Sequence, residues 1–464
     1  MGASSCASEP LLPRPGGDGS LAMVIASTGV AVLGSFVFGV SIGYSAPTQS
    51  KIREDLQLSL SEYSVFGSII TIGAMIGAVA SGHLADVTGR KGQAMRASAL
   101  ACIVGWLAIF FAQSAVSLDF GRFCTGFGVG VFSYVVPVFI AEIAPKALRG
   151  GLTTLNQLLV CTGLSVTYIV GTMVTWRMLV IAGLVPSIAL IIGLFFIPES
   201  PRWLAKVGRQ KEFEIALQRL RGKDADVSIE AAEIKEFIET IENLPKAGVQ
   251  DLFNRAYIRP AIVGVGLMVF QQFVGINGIL FYASETFVSA GFASGDLGTI
   301  LMGCIQAPIT AVGALLMDRS GRRPLLLIST SGLLIGSLMS AISFYLKIHG
   351  LFLEQVPIIA LTGILIYIAS YSIGMGAVPW VIMSEIFPIN IKGIGGSFVT
   401  LVNWSGSWAV SFAFNFFMSW SSSGTFFVFA LVCAVAILFI VKAVPETKGK
   451  TLEEIQASMN SSST

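Results

Sequence analysis

The sequence contains few charged residues. Asp, Glu, Lys and Arg make up 12% of its 464 residues, whereas 54% are hydrophobic, and the mean hydropathy is +0.78. Soluble globular proteins carry about 25% charged residues. The composition therefore excludes a soluble globular domain and indicates a protein of the lipid bilayer. The net charge of +2 gives no indication of a nucleic-acid partner.

Residues for acid–base catalysis and metal binding are also scarce. There are only two histidines, His83 and His349, and neither has the neighbouring residues that a catalytic or metal site needs. The six cysteines have no metal-ligand spacing, and five of them fall in hydrophobic runs, so we expect free thiols rather than disulfides. We therefore expect no enzymatic activity, no metal and no cofactor.

Long hydrophobic runs take up most of the chain. Each is close to the roughly 20 residues that a helix needs to cross a bilayer. The runs cover residues 23–47, 64–84, 95–115, 119–141, 152–175, 178–197, 260–283, 297–317, 324–346, 356–384, 394–418 and 424–444. Twelve transmembrane helices in two sets of six are predicted, so the fold class is all-α and integral to the membrane.

The charged stretch between the two sets reads as soluble helices, because its hydrophobic residues recur at helical spacing beside charged ones. The predicted parts of the chain are an unstructured tail (1–22), a first six-helix half (23–197), a helical linker (198–259), a second six-helix half (260–444) and a final tail (445–464). The Lys and Arg residues of the loops lie mostly on the side of the linker and tails, which places both termini in the cytoplasm.

Three motifs occur twice in the same order. Asp86 and Gly89-Arg90 after the second run have counterparts in Asp318 and Gly321-Arg322 after the eighth. A glutamate stands seven residues before a basic-Gly pair after the fourth and tenth runs, and a Pro-Glu pair closes the sixth and twelfth. These repeats predict two related halves with parallel topology.

Three amides interrupt the seventh hydrophobic run, where no charged residue occurs between Arg259 and Glu285. Gln271, Gln272 and Asn277 would cost free energy in hydrocarbon unless they face a cavity or a partner. A straight helix could not direct all three to one point, but Gly275 and Gly278 allow a break that would bring them together. Since amides both donate to and accept from hydroxyls, we predict a site for a neutral polyol.

The chain resembles the sugar porter family of the major facilitator superfamily over nearly its whole length, and within it the plant branch named for early response to dehydration. The motifs that carry the resemblance are Gly121-Arg122 with three following glycines, PVFIAEIAPKALRG at 137–150, PESPR at 198–202, QQFVGINGILFY at 271–282, Pro379-Trp380 and PETK at 445–448. The resemblance implies a monomeric transporter of a monosaccharide, a hexose with glucose as the first expectation, that works by alternating access.

The resemblance also implies roles for individual residues. Substrate hydroxyls would be held by Gln157, Gln271, Gln272, Asn277, Trp380 and Asn403, with Gln306 and Trp404 as secondary candidates. Tyr282 would gate the outer mouth of the cavity. Ion pairs at the cytoplasmic ends of the helices would hold the transporter closed on that side, through Asp86, Arg90, Glu142, Arg149, Glu199, Asp318, Arg322, Arg323 and Glu385.

The energy source for transport stays open at this point. Proton-coupled relatives carry an Asp in the first span, where this chain has Ser41. Asp119 lies three residues before Arg122 and could pair with it on one helix face. A facilitative uniporter is favoured, the alternative being a proton symporter that uses Asp119 and Arg122. A non-transporting sugar sensor is disfavoured because both tails are short.

The leading tail carries two candidate targeting signals. Glu9-Pro10-Leu11-Leu12 matches an acidic dileucine sorting signal, for which sorting machinery would be the partner. The Met1-Gly2 start resembles a myristoylation signal with Cys6 in place of the expected Ser or Thr, and Cys6 is itself a candidate for palmitoylation. The resemblance favours the vacuolar membrane, with the plasma membrane as the alternative.

Overall fold

The computed structural model describes residues 19–145, 148–223, 225–243, 248–254, 257–388, 391–450 and 454–455. Throughout these ranges the regular secondary structure is helical. The candidate signals at Gly2, Cys6, Leu11 and Leu12 lie outside the described residues, and so do the side chains of Arg149 and Asp318.

The first set of spanning helices precedes residue 194 and includes one short helix. The helices are α1 (Gly19–Gly43), α2 (Ser45–Leu56), α3 (Leu60–Thr88), α4 (Arg96–Phe110), α5 (Ala115–Ile143), α6 (Arg149–Met173) and α7 (Trp176–Gly193), with a π-helical turn, Gly89–Met95, between α3 and α4. Three helices follow in the predicted linker: α8 (Pro201–Lys206), α9 (Gln210–Arg221) and α10 (Ser228–Glu242), and a 3-10 turn, Val249–Phe253.

The second set begins after the linker. It consists of α11 (Ile258–Phe273), α12 (Ile276–Phe281), α13 (Ala283–Ala290), α14 (Asp296–Ser320), α15 (Arg322–Ile348), α16 (Val356–Ser370), a π-helical turn (Tyr371–Met375), α17 (Val378–Ile386) and α18 (Lys392–Ala443). The 52 residues of α18 are interrupted at Ser421, whose φ of −163° and ψ of 106° are not helical. This break separates the eleventh and twelfth predicted runs, so every predicted run corresponds to helix.

Close packing within the first set depends on small residues. A Cβ atom added to Gly126 of α5 would lie 2.2 Å from the carbonyl oxygen of Ile70 in α3, and one added to Gly130 would lie 2.2 Å from that of Ala74. This four-residue spacing of small side chains lets two helices approach within backbone contact, as in other membrane helix pairs. Gly126 and Gly130 therefore hold α5 against α3.

The linker covers one end of the bundle. Trp203, Leu204, Phe213 and Leu217 form a small separate core between its helices, and the Trp203 indole donates a hydrogen bond to the Asp86 carbonyl (2.8 Å). We call this end, where Arg90, Glu142, Arg322 and Glu385 lie, the charged end, and the opposite one the outer end.

The seventh predicted run is broken as the sequence indicates. Gly275, with φ of +103°, separates α11 from α12, and its conformation is one that residues with a side chain rarely adopt. Gly278 does not break the helix, contrary to the prediction. It lies within α12, where an added Cβ would meet the Phe414 ring at 2.2 Å, and the second break falls at Tyr282.

The tenth run is also discontinuous, as expected for the stretch before Trp380. Its two α-helical parts, α16 and α17, are joined by the π-helical turn Tyr371–Met375. Pro379 has no N–H group, so the carbonyl of Met375 one turn before it lacks its helical donor. Short π-helical segments within α-helices are frequent at functional sites.

Replacing Gly275 should test the break directly. In Gly275→Ala the new Cβ would lie 2.4 Å from the Phe429 ring at a positive φ, and a strained backbone of this kind costs about 1–3 kcal/mol. We expect a lower thermal unfolding midpoint in detergent. Gly151→Ala is the matched control, because nothing lies within 4 Å of a Cβ at that helical position. Equal midpoints for the two variants would contradict this account of the break.

Candidate functional site

Gln271 joins three helices at the centre of the bundle. Its Nε2 donates to the carbonyls of Met375 (2.7 Å) and Gly376 (3.1 Å), and its Oε1 accepts from Nδ2 of Asn403 in α18 (2.8 Å). The Met375 carbonyl is the one that Pro379 leaves without a helical donor, so the amide supplies the missing hydrogen bond. Gln271 and Asn403 are both buried.

A second amide network lies across the break at Gly275. Nδ2 of Asn277 donates to Oε1 of Gln272 and to the hydroxyl of Ser407 in α18 (2.7 Å). Gln272 and Asn277 are five residues apart and would not face each other on a regular helix. The break therefore brings these two amides together, as the sequence predicts.

A small polar cavity lies beside the first network. It measures about 20 Å³ and is lined by Gln157, Cys161, Gln306, Thr310, Tyr371, Ser372, Gly376 and Ala377. A cavity of this size has room for about one water molecule. Since Gly376 also accepts from Gln271, the cavity and the first network share a wall.

The two predicted tryptophans belong neither to the two amide networks nor to the cavity wall given for the described residues. Trp380 in α17 is half-buried and packs against the main hydrophobic core. Trp404 is 7% exposed and packs against Ala74 and Val129, with its ring centroid 6.1 Å from that of Phe38. The structure thus brings Gln271, Gln272, Asn277 and Asn403 into contact networks, and Gln157 and Gln306 into the cavity wall.

Six of the eight cavity residues were not predicted as site residues, and four of the six have side chains that can form hydrogen bonds: Cys161, Thr310, Tyr371 and Ser372. Cys161 follows Gln157 by four residues, and Thr310 follows Gln306 by four. Side chains four apart lie on the same helix face, so this spacing was a usable signal for two of the four. The other two depend on the π-helical turn, which changes the direction of side chains in a way that hydrophobic periodicity does not show.

The outer end is closed by contacts between the two sets of helices. The Tyr168 hydroxyl donates to the Leu280 carbonyl, and Nδ2 of Asn415 donates to the Ser64 hydroxyl (3.0 Å). Tyr282, predicted to gate this mouth, is buried and stacks on Phe414 at 5.8 Å between ring centroids. These contacts place Tyr282 at the closed mouth.

The charged end carries the same arrangement in each set of helices. Arg90 pairs with Asp86 (2.9 Å) and Glu142 (3.2 Å), and Arg322 pairs with Glu385 (3.0 Å). Gly89 and Gly321, which precede the arginines, have φ of +92° and +93°. The repeated motifs of the sequence therefore form matching structures. Asp86 also pairs with Lys206 of the linker (3.1 Å), and no ion pair given between described side chains at this end joins the two sets.

Glutamates after the last helix of each set bind backbone N–H groups. Glu199 accepts from the N–H of Lys91 (2.9 Å). Glu446 accepts from the N–H groups of Arg322 (3.0 Å) and Arg323 (3.0 Å). Burial alone would raise the pKa of Glu446, but hydrogen bonds from four backbone N–H groups lower it below the usual glutamate value. Sequence analysis found Glu446 in the repeated Pro-Glu pair but did not include it among the residues of the charged end.

Arg122 is a fully buried cation in the first set. Its guanidinium donates to the Ser41 carbonyl and the Ser45 hydroxyl, and it lies 5.3 Å from the centroid of the Phe66 ring. Asp119 makes no ion pair with Arg122 among the described residues, and one oxygen of its carboxylate has no hydrogen-bond partner there. The pairing considered for these two residues is absent from this conformation.

Comparison with known proteins identifies the family. The family described as Sugar (and other) transporter matches residues 27–459. The chain belongs to the sugar porter family of the major facilitator superfamily. Sugar transporter ERD6-like 16 of Arabidopsis thaliana is 64% identical over 94% of this chain and 91% of the relative, and Sugar transporter ERD6-like 7 of the same plant is 62% identical over 94% of both. This sugar porter therefore lies in the ERD6-like branch.

Solved structures agree with this assignment. The proton:xylose symporter XylE bound to 6-bromo-6-deoxy-D-glucose is 28% identical, with a TM-score of 0.78 over 95% of this chain and 100% of that one. An inward-open conformation of XylE from E. coli gives a TM-score of 0.78 over 94% and 99%. The sugar porter thus has the major facilitator fold and is a multi-pass membrane transporter of sugar, not an enzyme.

Removing the Asn403 amide should weaken sugar transport by this porter. In Asn403→Leu, the site loses an amide that would bond a sugar hydroxyl and that holds Gln271 in place, and one hydrogen bond is worth about 0.5–1.5 kcal/mol. We expect the half-saturating sugar concentration to rise up to about tenfold, as measured by initial uptake into proteoliposomes. Ser419→Ala is the control on the same helix, since that exposed hydroxyl bonds only its own helix (2.9 Å). An unchanged half-saturating sugar concentration in Asn403→Leu would show that this network does not take part in sugar binding.

Proposed function

We propose that this sugar porter is a facilitative uniporter for hexoses, with glucose as the first substrate to test. The observation that carries the proposal is the environment of Arg122. Its guanidinium is held by the Ser41 carbonyl and the Ser45 hydroxyl, so the position that a carboxylate occupies in proton-coupled relatives offers no group that titrates. An arginine guanidinium stays protonated in proteins, so Arg122 itself does not carry protons through the cycle.

The binding groups support a neutral substrate. Gln157, Gln271, Gln272, Asn277 and Asn403 provide amides, each of which can donate to and accept from hydroxyls. None of these side chains carries charge, so the site has no preference for an ionic ligand. Trp380, which the resemblance assigns to the site, would add an aromatic face that suits the hydrophobic face of a sugar ring.

Transport would proceed by alternating access between two halves, residues 23–197 and 260–444, with the linker 198–259 on the cytoplasmic side. Support comes from the contacts at the two ends. Side-chain bonds such as Asn415 to Ser64 join the sets at the outer end, whereas Arg90 and Arg322 pair within their own sets at the charged end. Rocking of one half against the other would break the bonds at the outer end and leave the ion pairs at the charged end intact.

We place both termini in the cytoplasm and the protein in the vacuolar membrane, acting as a monomer. The positive charge of the loops supports the orientation, and membership of the ERD6-like branch supports the proposed membrane.

A second candidate is a proton symporter that uses Asp119, because one of its carboxylate oxygens lacks a partner among the described residues. Flux measurements distinguish the two. We expect proteoliposomes to equilibrate glucose without accumulating it when the lumen is made alkaline, whereas a one-to-one symporter could accumulate glucose about tenfold per pH unit.

The variant Asp119→Asn is the companion measurement and should transport glucose at the wild-type rate. Accumulation driven by the pH gradient and abolished in Asp119→Asn would overturn uniport. Loss of all hexose flux in the wild-type chain would instead contradict the wider proposal.

The paired charges at the charged end are proposed to keep helix ends aligned during the cycle. Removing Arg322 leaves Glu385 and its mostly buried carboxylate without that partner, so Arg322→Ala should lower the initial rate of glucose uptake several-fold while membrane insertion stays normal. The control is Arg209→Ala, because Arg209 pairs with Glu212 in the linker and both side chains of that pair are exposed to solvent. Equal initial rates for wild type and Arg322→Ala would refute this alignment role.

A further inference from the structure

The cavity beside Gln271 contains polar atoms with unused hydrogen-bonding capacity. Oε1 of Gln306 and the hydroxyl of Ser372 line it, and neither has a partner among the described residues. Both side chains are more than nine-tenths buried, at 5% and 7% exposed. Orphaned polar groups at such depth cost about 1–3 kcal/mol each unless a ligand or water reaches them. The cavity is therefore built to receive a polar group.

Cys161 occupies the same wall and contacts the donors of the cavity. Nε2 of Gln157 donates to its Sγ at 3.7 Å, and the Thr310 hydroxyl lies 3.3 Å from the same sulfur and 2.8 Å from the carbonyl of Gln306. Sulfur is a weak acceptor compared with oxygen. The Gln157 amide is thus oriented by a bond that an arriving oxygen can replace at little cost.

We propose that Cys161 is a positioning residue of the sugar site: it holds the Gln157 amide toward the cavity and releases it to one hydroxyl of the substrate. A hydroxyl has two acceptor lone pairs and one donor. It would accept from Gln157 and donate to Gln306 Oε1 or Ser372 Oγ, which satisfies groups that the protein leaves incomplete. The inference rests on the proposed function, because it takes the ligand to be a sugar.

The kinetic test separates positioning from a packing role. In Cys161→Ala the Gln157 amide loses the sulfur that orients it, so we expect KM for glucose to rise about 3–10-fold with the maximal rate nearly unchanged. Cys161→Ser keeps a polar atom at the position and should show a smaller rise. Cys433→Ala is the matched control, since Cys433 is equally buried but lies in α18 outside the cavity. A fall in maximal rate with unchanged KM would refute the proposal.

A chemical test uses the Cys161 thiol itself and does not depend on a change in KM. In a background lacking Cys6, Cys124 and Cys304, an organomercurial should block glucose uptake by reacting with Cys161 when the cavity opens. Glucose should slow this inactivation several-fold. Adding the substitution Cys161→Ala to the same background should abolish the inactivation. Intact-mass measurement of the adduct identifies the labelled residue when Cys161→Ala and Cys161→Ser are compared.

The outcomes distinguish failure of the Cys161 role from failure of the proposed function. Normal glucose uptake with inactivation that glucose does not slow, or that persists in both Cys161 variants, overturns the role of Cys161 and leaves the proposed function standing. Absence of uptake for every hexose tested in the unsubstituted protein overturns the proposed function, and the inference with it. Retained thermal unfolding midpoints in both variants show that loss of protection does not come from misfolding.

Discussion

The requirement that polar groups inside a bilayer have partners governs the centre of this protein. An amide left without hydrogen bonds in an apolar medium costs about 2–7 kcal/mol. Gln271 meets the requirement because the broken tenth span exposes the carbonyls of Met375 and Gly376. Pro379 contributes to that break, since it cannot donate to Met375. The two discontinuous spans therefore support each other: one supplies amide donors and the other supplies free carbonyls.

Sequence analysis predicted the polar stretch and one of its breaks, but not the partners. Gln271, Gln272 and Gly275 are visible because amides and a glycine stand out in a hydrophobic run. That Gln271 binds backbone carbonyls a hundred residues away follows from tertiary packing, which has no signature in local spacing. Gly278 was assigned to the wrong role because glycine permits both a break and a close approach, and the Phe414 ring against α12 decides for the second.

Repetition in the sequence was a stronger guide at the charged end. The spacing of Asp86 and Arg90 is one helical turn, so their ion pair is local and predictable. The glutamates behave differently. Glu446 binds backbone N–H groups beside Gly321 rather than arginine side chains, and the positive φ of that glycine exposes these N–H groups. Such backbone geometry is not encoded in charge patterns, so the repeated Pro-Glu pair marks Glu446 as the counterpart of Glu199 without showing what it binds.

The pairing of site amides with one another helps to explain how a carrier could move sugar without coupling to protons. A uniporter has to change between its two conformations both with and without bound sugar. If its site amides had partners only when sugar is bound, the sugar-free protein would carry the cost of the unsatisfied groups. Gln271 with Asn403, and Gln272 with Asn277, provide mutual partners when no hydroxyl is bound. A sugar then gains only the difference between its own bonds and those it replaces, so that binding biases the equilibrium between states without locking either of them. Arg122 is held by neutral groups rather than by a carboxylate, so no carboxylate has to be protonated to release it before the halves move.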